Sequence, residues 1–417
     1  MRDRDLYARI MGLEKPWTVT GVELALKEEE VRVQVEYRSK ARLPCPVCGR
    51  PCGGYDSRRR RWRHLDTCQL KTILEAEVPR VKCQEHGVRQ VRVPWAEPQS
   101  GFTALFECVV VDWLKEASIT AVAVQLRLTW DQVAGIMERA VQRGLARREA
   151  LSPRRIGVDE TSFQKGQEYV TSVVDLDEGT VLYVADDRKT ASLDGFYAQL
   201  GPDQLRGLQA VAMDMWQPYV NSTRSHVPDA DRKIAFDKFH VAGLLGKAVD
   251  TVRKQEHRAL MSQGDDTLLK TKYLWLRNPE NMREEVWRGR FADLRASTLR
   301  TARAWAIKEE AMCLWGYVTR SWAEKGWKKW LGWALRSRLE PVKEAARTVR
   351  EHLWGILNAI LLRATTATSE SVNAGIQRVK RMACGFRNRE RFRQAIYFHL
   401  GGLDLYPALP DAIHTGS

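Results

Sequence analysis

The sequence predicts an α+β multidomain chain: a small metal-clipped β unit, then a helical unit, then a mixed core interrupted by a long helical stretch. Three observations predict it. Two ligand pairs, Cys45 with Cys48 and Cys83 with His86, sit at the ends of runs whose apolar residues alternate. From Ile156 the pattern changes to short apolar strands, two of which end in Asp159 and Asp214. Glu370 follows Asp214 by 156 positions, too many for a loop inside a compact fold.

A chain of 417 residues is too long for one ordinary core, so roughly two to four units are expected. Lysine and arginine number 67 against 52 acids, a formal charge of +15. That excess favours a polyanionic partner, nucleic acid before an anionic membrane surface. No apolar run has the length of a membrane span, and the charged opening Met1-Arg2-Asp3-Arg4-Asp5 has no secretory character. A reducing, cytoplasmic location is expected, so the eight cysteines are read as metal ligands or buried thiols before disulfides.

In residues 17–40, Val22, Leu24 and Leu26, then Val31, Val33, Val35 and Tyr37, alternate on either side of a charged turn, the pattern of a β-hairpin. The knuckle Pro44-Cys45-Pro46-Val47-Cys48-Gly49 follows. A second half, Cys83-Gln84-Glu85-His86-Gly87, comes after alternating Thr72, Leu74, Ala76 and Val78. Two such halves make a zinc ribbon over residues 1–100, with one structural Zn²⁺ in a closed Cys3His site; four protein ligands leave no open position for catalysis. Such a unit is expected to need its metal to fold. Cys52, His64 and Cys68 are rivals for single positions but lack paired spacing. Within the ribbon, Arg58, Arg59, Arg60, Arg61, Trp62 and Arg63 run together. A solvated loop is the bland reading; contact with the DNA backbone, with Trp62 as a stacking surface, is the favoured one.

Residues 101–150 read as a helix-turn-helix DNA-binding domain. Leu105, Val109, Val110 and Leu114 form one helical stripe. Ile119, Val122, Ala123 and Leu126 would pack a first helix, and Thr129 would cap a second that buries Val133, Ile136 and Met137. The exposed face from Trp130 to Arg139, with Trp130 and Gln132 foremost, would then enter a major groove. A plain helical linker is the alternative.

Strands are expected over 156–160, 169–175 and 180–185, a helix over 192–200, and strands over 208–215 and 232–239, with Asp237-Lys238-Phe239-His240 closing the last. Three antiparallel strands, a helix and a further strand is the order of an RNase H-like fold, in which the first and fourth strands lie side by side. The 55 positions between Asp159 and Asp214 suit that connection. The core would comprise 151–244 and 366–417, interrupted by an all-helical insertion over 245–365 that holds nine of the fifteen tryptophans. Trp327, Trp330 and Trp333 recur every third residue, the pattern of interhelix packing, with an aromatic wedge against distorted DNA as the sharper reading. Ser369 or Thr368 would cap a helix beginning near Glu370. Beyond it Arg378, Lys380, Arg381, Arg387, Arg389, Arg391 and Arg393 are interrupted by one acid, Glu390, which favours phosphate binding. Carboxylates brought together from distant parts of a chain are what a two-metal phosphoryl-transfer site needs, because hard divalent cations take oxygen ligands. Read blandly, they are ordinary acids at strand ends and a helix start. Glu160 should point away from Asp159 by strand alternation. His240 could assist at the site or simply pack.

Gly157-Val158-Asp159-Glu160, Met213-Asp214-Met215-Trp216, Phe236-Asp237-Lys238-Phe239-His240-Val241, Ser369-Glu370-Ser371-Val372-Asn373 and the stretch Arg381 to Asn388 resemble the DDE transposases of bacterial insertion sequences, the ISL-three group in particular. Knuckle, helix-turn-helix, split core and final motif occur in that group's order, so the resemblance covers nearly the whole chain. Where the family has Thr-Asn-x-x-Glu-Gly-x-Asn, this chain keeps Glu370 and Asn373 but has Ser371 for glycine. The resemblance implies an RNase H-like transposase with Asp159, Asp214 and Glu370 as metal ligands. Two Mg²⁺ ions, with Mn²⁺ as a substitute, would serve hydrolysis at a transposon end and attack of the freed 3′-OH on target DNA. Expected partners are double-stranded DNA, as terminal inverted repeats and as target, and a second copy of the chain in a homodimeric synaptic complex at the bacterial nucleoid. A domesticated regulator that binds DNA without cutting, and a structure-selective nuclease of the same fold, are the competing readings.

Overall fold

The alternation in residues 17–40 does form a hairpin. In this computed structural model, which describes residues 2–38, 42–164, 168–277, 285–363 and 367–409, β1 (Trp17–Ala25) pairs antiparallel with β2 (Glu30–Tyr37), and Val31, Val33 and Val35 are buried. A short β3 (Leu43–Pro44) precedes the long antiparallel pair β4 (Pro51–Thr67) and β5 (Leu70–Cys83), and β6 (Gly87–Gln90) adds to β5. The sheet order is β1-β2-β5-β4-β3, with β2 and β5 parallel. Thr72, Leu74, Ala76 and Val78 line its inner face, as the two-residue period of a strand requires. Trp95 joins this core, its ring 4.8 Å from that of Trp17 and 5.4 Å from that of Trp62, both edge-on, the arrangement that aromatic quadrupoles favour. The helix α1 (Asp3–Ile10) contributes Tyr7 to the same cluster.

Three helices follow: α2 (Ala104–Glu116), α3 (Ile119–Gln125) and α4 (Trp130–Arg147). Each is started by a side chain that accepts from an otherwise orphaned backbone N–H. Thr103 accepts from Phe106 at 3.3 Å, Ser118 from Ala121 at 3.2 Å and Thr129 from Gln132 at 3.2 Å. Val122, Ala123, Val133, Ile136 and Met137 are buried as expected, whereas Ile119 is half-exposed and Leu126 half-buried. On α2 the buried stripe is rotated from the expected one: Leu105 and Val109 are half-buried, while Phe106 and Glu107 turn inward. Phe106 stacks on Phe102 at 5.5 Å. Glu107, 1 % exposed, accepts from Ser100 at 2.8 Å, Arg139 at 2.6 Å and Arg143 at 3.1 Å.

Arg143 also binds Glu97 at 2.5 Å and donates to the carbonyl of Leu405, 262 positions later. Arg147 reaches Asp404 at 2.8 Å and the carbonyl of Tyr406 at 2.6 Å. The Tyr406 hydroxyl donates to Asp112 and accepts from Lys115, both at 2.5 Å. The first unit therefore comprises the chain up to Arg148 together with Tyr397–His399 and the stretch from Leu403.

The second unit spans Glu149–Ile396 with Leu400–Gly402. Strands β7 (Arg155–Gln164), β8 (Glu168–Asp175) and β9 (Val181–Ala185) form an antiparallel meander. After α5 (Thr190–Tyr197) and α6 (Pro202–Gly207), β10 (Ala210–Met213) pairs parallel with β7. Beyond α7 (Gln217–His226) and α8 (Ala230–Lys233), β11 (Ile234–Phe236) pairs parallel with β10, giving the order β11-β10-β7-β8-β9. The strand expected over 232–239 is thus three residues long. Arg232 and Lys233 belong to α8, and Asp237 opens α9 (Lys238–Met261) by accepting from the Phe239 N–H at 2.8 Å.

Every residue of β10 is buried, as expected of a parallel strand covered on both faces. The remaining helices are α10 (Lys272–Leu276), α11 (Glu285–Ala296), α12 (Arg300–Cys313), α13 (Arg320–Leu335), α14 (Glu340–Glu351), α15 (Leu353–Leu362), α16 (Ala367–Met382) and α17 (Arg389–Leu400). Ala359 and Leu362 of α15 pack on the small face made by Ala210, Ala212 and Ala235. Asn358 pins α15 to the sheet by donating to the carbonyls of Asp231 at 2.8 Å and Ile234 at 2.9 Å. Trp327 and Trp330 are fully buried and Trp330 donates to the Ile307 carbonyl at 2.7 Å, so the packing reading holds for them; Trp333 alone of the three keeps an exposed face. Residues 278–284 of the helical stretch and its expected boundary at 364–366 lie outside the described residues.

Arg143→Ala is expected to cost about 3 kcal/mol of stability, because buried Glu107 keeps its charge and loses a partner. Denaturant unfolding of the full chain measures this, and a loss under about 1 kcal/mol would mean that Arg139 alone satisfies Glu107.

Candidate functional site

The parallel register aligns Ile156 with Val211 and Gly157 with Ala212. Asp159 lies two residues past the last position of β7 paired with β10, and Asp214 directly follows β10, so the two acids sit at the same end of neighbouring strands. Gly157 and Asp159 share a face of β7, and α16 crosses that face: a Cβ on Gly157 would collide with the Ser369 hydroxyl. Glycine is required here by close approach. The helix expected to begin near Glu370 already includes Ala367 among the described residues, so Thr368 and Ser369 lie within it and do not cap it. Asn373 donates from Nδ2 to Asp159 Oδ2, and Glu370, one turn earlier on the same side of α16, is exposed. The backbone N–H of Glu160 and of Met215 donate to Asp159 at 2.6 Å and Asp214 at 2.5 Å. Among the described residues the three carboxylates do not all lie within 4.8 Å of one another.

His240, in the first turn of α9, stands with Nδ1 3.5 Å from Asp214 and Nε2 3.9 Å from Asp237. Glu160 turns away from Asp159 as expected, toward Arg188 at 3.6 Å. Burial pushes the Glu160 carboxyl up, opposed by a hydrogen bond with Tyr219 and by the Arg188 charge.

The second site lies in the first unit. The ligand atoms of Cys45, Cys48, Cys83 and His86 all lie within 4.8 Å of one another. Cys48 and Cys83 sulfurs are 3.8 Å apart, and His86 Nδ1 is 3.9 Å from Cys45 and 3.6 Å from Cys83. Bonds of about 2.3 Å at tetrahedral angles give about 3.8 Å between sulfurs, so the donor set fits zinc. Backbone N–H groups of His86 and Glu85 lower the Cys83 thiol to about 7, and those of Cys48 and Val47 lower Cys45, favouring the thiolates that a metal binds. Gly49 and Gly87, at φ +74° and +70°, make the left-handed turns after each ligand pair. The rivals stay outside: Cys52 donates to the Arg50 carbonyl, Cys68 is exposed, and His64 is buried against Thr103 at 2.9 Å and pushed down to about 4 by burial.

The basic run of β4 is sorted by strand alternation. Trp62 is 1 % exposed, packed on Trp95, so the expected stacking surface is core. Arg63, on the opposite face, is buried over the Phe106 ring and paired with Asp66; Arg59 and Arg61 bind Glu75, and Arg61 also Glu30. Arg60 lies over the Trp62 ring, and Arg58 is exposed. On α4, Gln132 is exposed but its side chain accepts from the Thr129 N–H at 2.9 Å, and Trp130 is half-buried. In the C-terminal basic series, Lys380 donates to the Ser162 carbonyl at 2.7 Å, Arg389 pairs with Glu168 at 3.3 Å and Arg393 with Asp186 at 3.6 Å. Arg391 is exposed, as are Arg378, Arg381 and Arg387, which form no ion pair with a described residue.

Three family models match in the order of these sites: a zinc-finger of transposase IS204/IS1001/IS1096/IS1165 over residues 42–86, a helix-turn-helix domain of transposase family ISL3 over 91–141, and the ISL3 transposase model over 156–396. The chain belongs to the ISL3 family of transposases. It is 28 % identical over 421 residues to the transposase for insertion sequence element IS1557 of Mycobacterium tuberculosis, covering 93 % of each chain. To the transposase for insertion sequence element IS1001 of Bordetella parapertussis it is 26 % identical, covering 94 % of this chain and 97 % of that one. It is thus a DNA-binding, DNA-cleaving transposase. No helix among the described residues is long and apolar enough to cross a membrane.

Metal analysis of this ISL3 transposase is expected to find one zinc per chain, lost in Cys45→Ser and Cys83→Ser. Unchanged zinc in both variants would remove these residues from the site.

Proposed function

We infer that the second unit is an RNase H-like nuclease core over 151–244 and 366–417, split by a helical insertion over 245–365, and that Asp159, Asp214 and Glu370 are its metal-binding carboxylates. The observation that carries the reading is the hydrogen bond from Asn373 to Asp159, which ties the Glu370 helix to β7, the strand that pairs with the one Asp214 follows. The sheet order β11-β10-β7-β8-β9 supports it. All-oxygen donors fit hard divalent cations. Two Mg²⁺ or Mn²⁺ ions would supply an activated water and neutralise charge on the attacked phosphodiester. The chain's own residues do the positioning. Asn373 and the Glu160 N–H orient the two oxygens of Asp159, while His240 and the Met215 N–H hold Asp214.

The reaction is hydrolysis at a transposon end followed by attack of the resulting 3′-OH on target DNA, both in-line displacements at one site. The ribbon over 1–100, its zinc included, and the helix-turn-helix over 101–150 read the terminal inverted repeats, with Gln132 and the exposed face of α4 toward the bases. Arg58, Arg378, Arg381, Arg387 and Arg391 contact phosphates, which position a protein without specifying sequence. Two copies of the chain hold the paired ends.

Asp159→Ala, Asp214→Ala and Glu370→Ala are each expected to lower cleavage of a duplex carrying the element's end by roughly a thousandfold or more. Gel-shift affinity for that duplex should change by less than about threefold. Cleavage at the wild-type rate by any one variant would strike that residue from the site.

A further inference from the structure

The acids at the ends of β7 and β10 would have to accept a polyanion, and Arg389 and Arg393, expected to receive it, are engaged with Glu168 and Asp186. Arg188, in the turn between β9 and α5, is built differently. Its guanidinium lies 4.8 Å from the centroid of the Tyr169 ring and 5.0 Å from that of Trp216, two residues beyond Asp214. The Trp216 indole N–H donates to the Arg188 carbonyl at 3.1 Å, so ring and guanidinium are held at both ends of the residue. Its ion pair with Glu160 spans 3.6 Å, beyond hydrogen-bond length. The Arg188 side chain remains 41 % exposed and Trp216 37 % exposed.

A solvated surface pair with Glu160 is the bland account of Arg188. It leaves unexplained why two aromatic rings lie against a cation so close to Asp214 and Glu160 in the chain. Stacking on rings fixes the plane of a guanidinium and leaves its in-plane N–H donors for a planar acceptor such as phosphate. Glu160, half-buried, faces the guanidinium at Nη1, and the Arg188 side chain keeps an exposed part.

We propose that Arg188, plane-locked by Tyr169 and Trp216, is the phosphate-binding residue of the active site and grips a backbone phosphate adjoining the scissile bond. This rests on the acidic site inferred above. Its failure is separable, because the partner is a phosphate rather than a metal ion.

The test uses the full chain and synthetic end duplexes carrying one neutral methylphosphonate at each phosphate flanking the cleavage position in turn. Cleavage rate and gel-shift affinity are both read. Arg188→Ala is expected to lower cleavage about tenfold to a hundredfold, the loss of one charge-assisted contact. At one position the methylphosphonate should slow the wild type by a similar factor and the variant hardly at all. If Arg188→Ala does not fold, Arg188→Gln, which keeps a planar head without charge, gives the same comparison. Trp216→Ala should show a smaller loss at the same position, and Trp216→Phe should restore it. Methylphosphonate penalties as large in the variant as in the wild type at every position would overturn the proposal. Asp159→Ala in the same assay reports on the acidic site by itself: an active Asp159→Ala sinks that site, whereas an inactive one beside an uncoupled Arg188 sinks only the phosphate contact.

Discussion

Parallel pairing of β10 with β7 is the constraint on which the second unit depends. Parallel neighbours need a long crossover, and β8, β9, α5 and α6 supply it between the two strands. A slip of one residue in the Gly157–Ala212 register would turn Asp214 to the opposite face while Asp159 stayed in place. The register is held from both faces. Val211 and Met213 enter the large core, Ala210 and Ala212 receive α15, and Asn358 ties α15 to the strand that flanks β10. Small residues on the second face let a helix lie close, and the chain leaving that helix continues to α16 and Glu370.

Charge in the first unit obeys a different rule. A run of arginines on a strand must divide between two faces, so it cannot present one continuous basic surface. Trp62, on the inner face, is taken into the core; on the other face Arg63 is covered by Phe106 of α2, and Arg59 and Arg61 meet Glu75 and Glu30. Counting charges along β4 therefore overstates what a polyanion would find there.

The parts of this molecule that were legible in the sequence are those with a short period or a chemical spacing. The β1–β2 hairpin, the inward face of β5, the Thr129 cap and each ligand pair of the Cys3His group follow from residues within a few positions of one another. The second and third strands of the second unit and the pairing of its first strand with its fourth were also legible, because strand order and apolar runs restrict how such a sheet can close. What was missed depends on partners remote in sequence. Nothing near Trp62 announces Trp95, and nothing near Asp159 announces Asn373, although Asn373 stands a single turn from Glu370 and could have been suspected on that ground. The rotated stripe of α2 escaped for a related reason: Glu107 reads as an outward acid until its arginines on α4 are known. The strand expected at 232–239 shrank because Asp237 is a better helix cap than strand residue.

The bond from Arg143 to the carbonyl of Leu405 also has a meaning in time. A ribosome releases α4 well before it has joined the 262 residues that separate the two groups. At roughly 5–20 residues per second, that is an interval of about 15–50 s. Throughout it, Arg143 can hold Glu107 and Glu97 but not the strap formed by Leu405 and its neighbours, and Arg147 and Lys115 lack their contacts with Asp404 and Tyr406. The helices that would meet DNA acquire these supports only after residues 404–406 have been joined. A nascent or prematurely stopped chain would carry the same helices in a looser form.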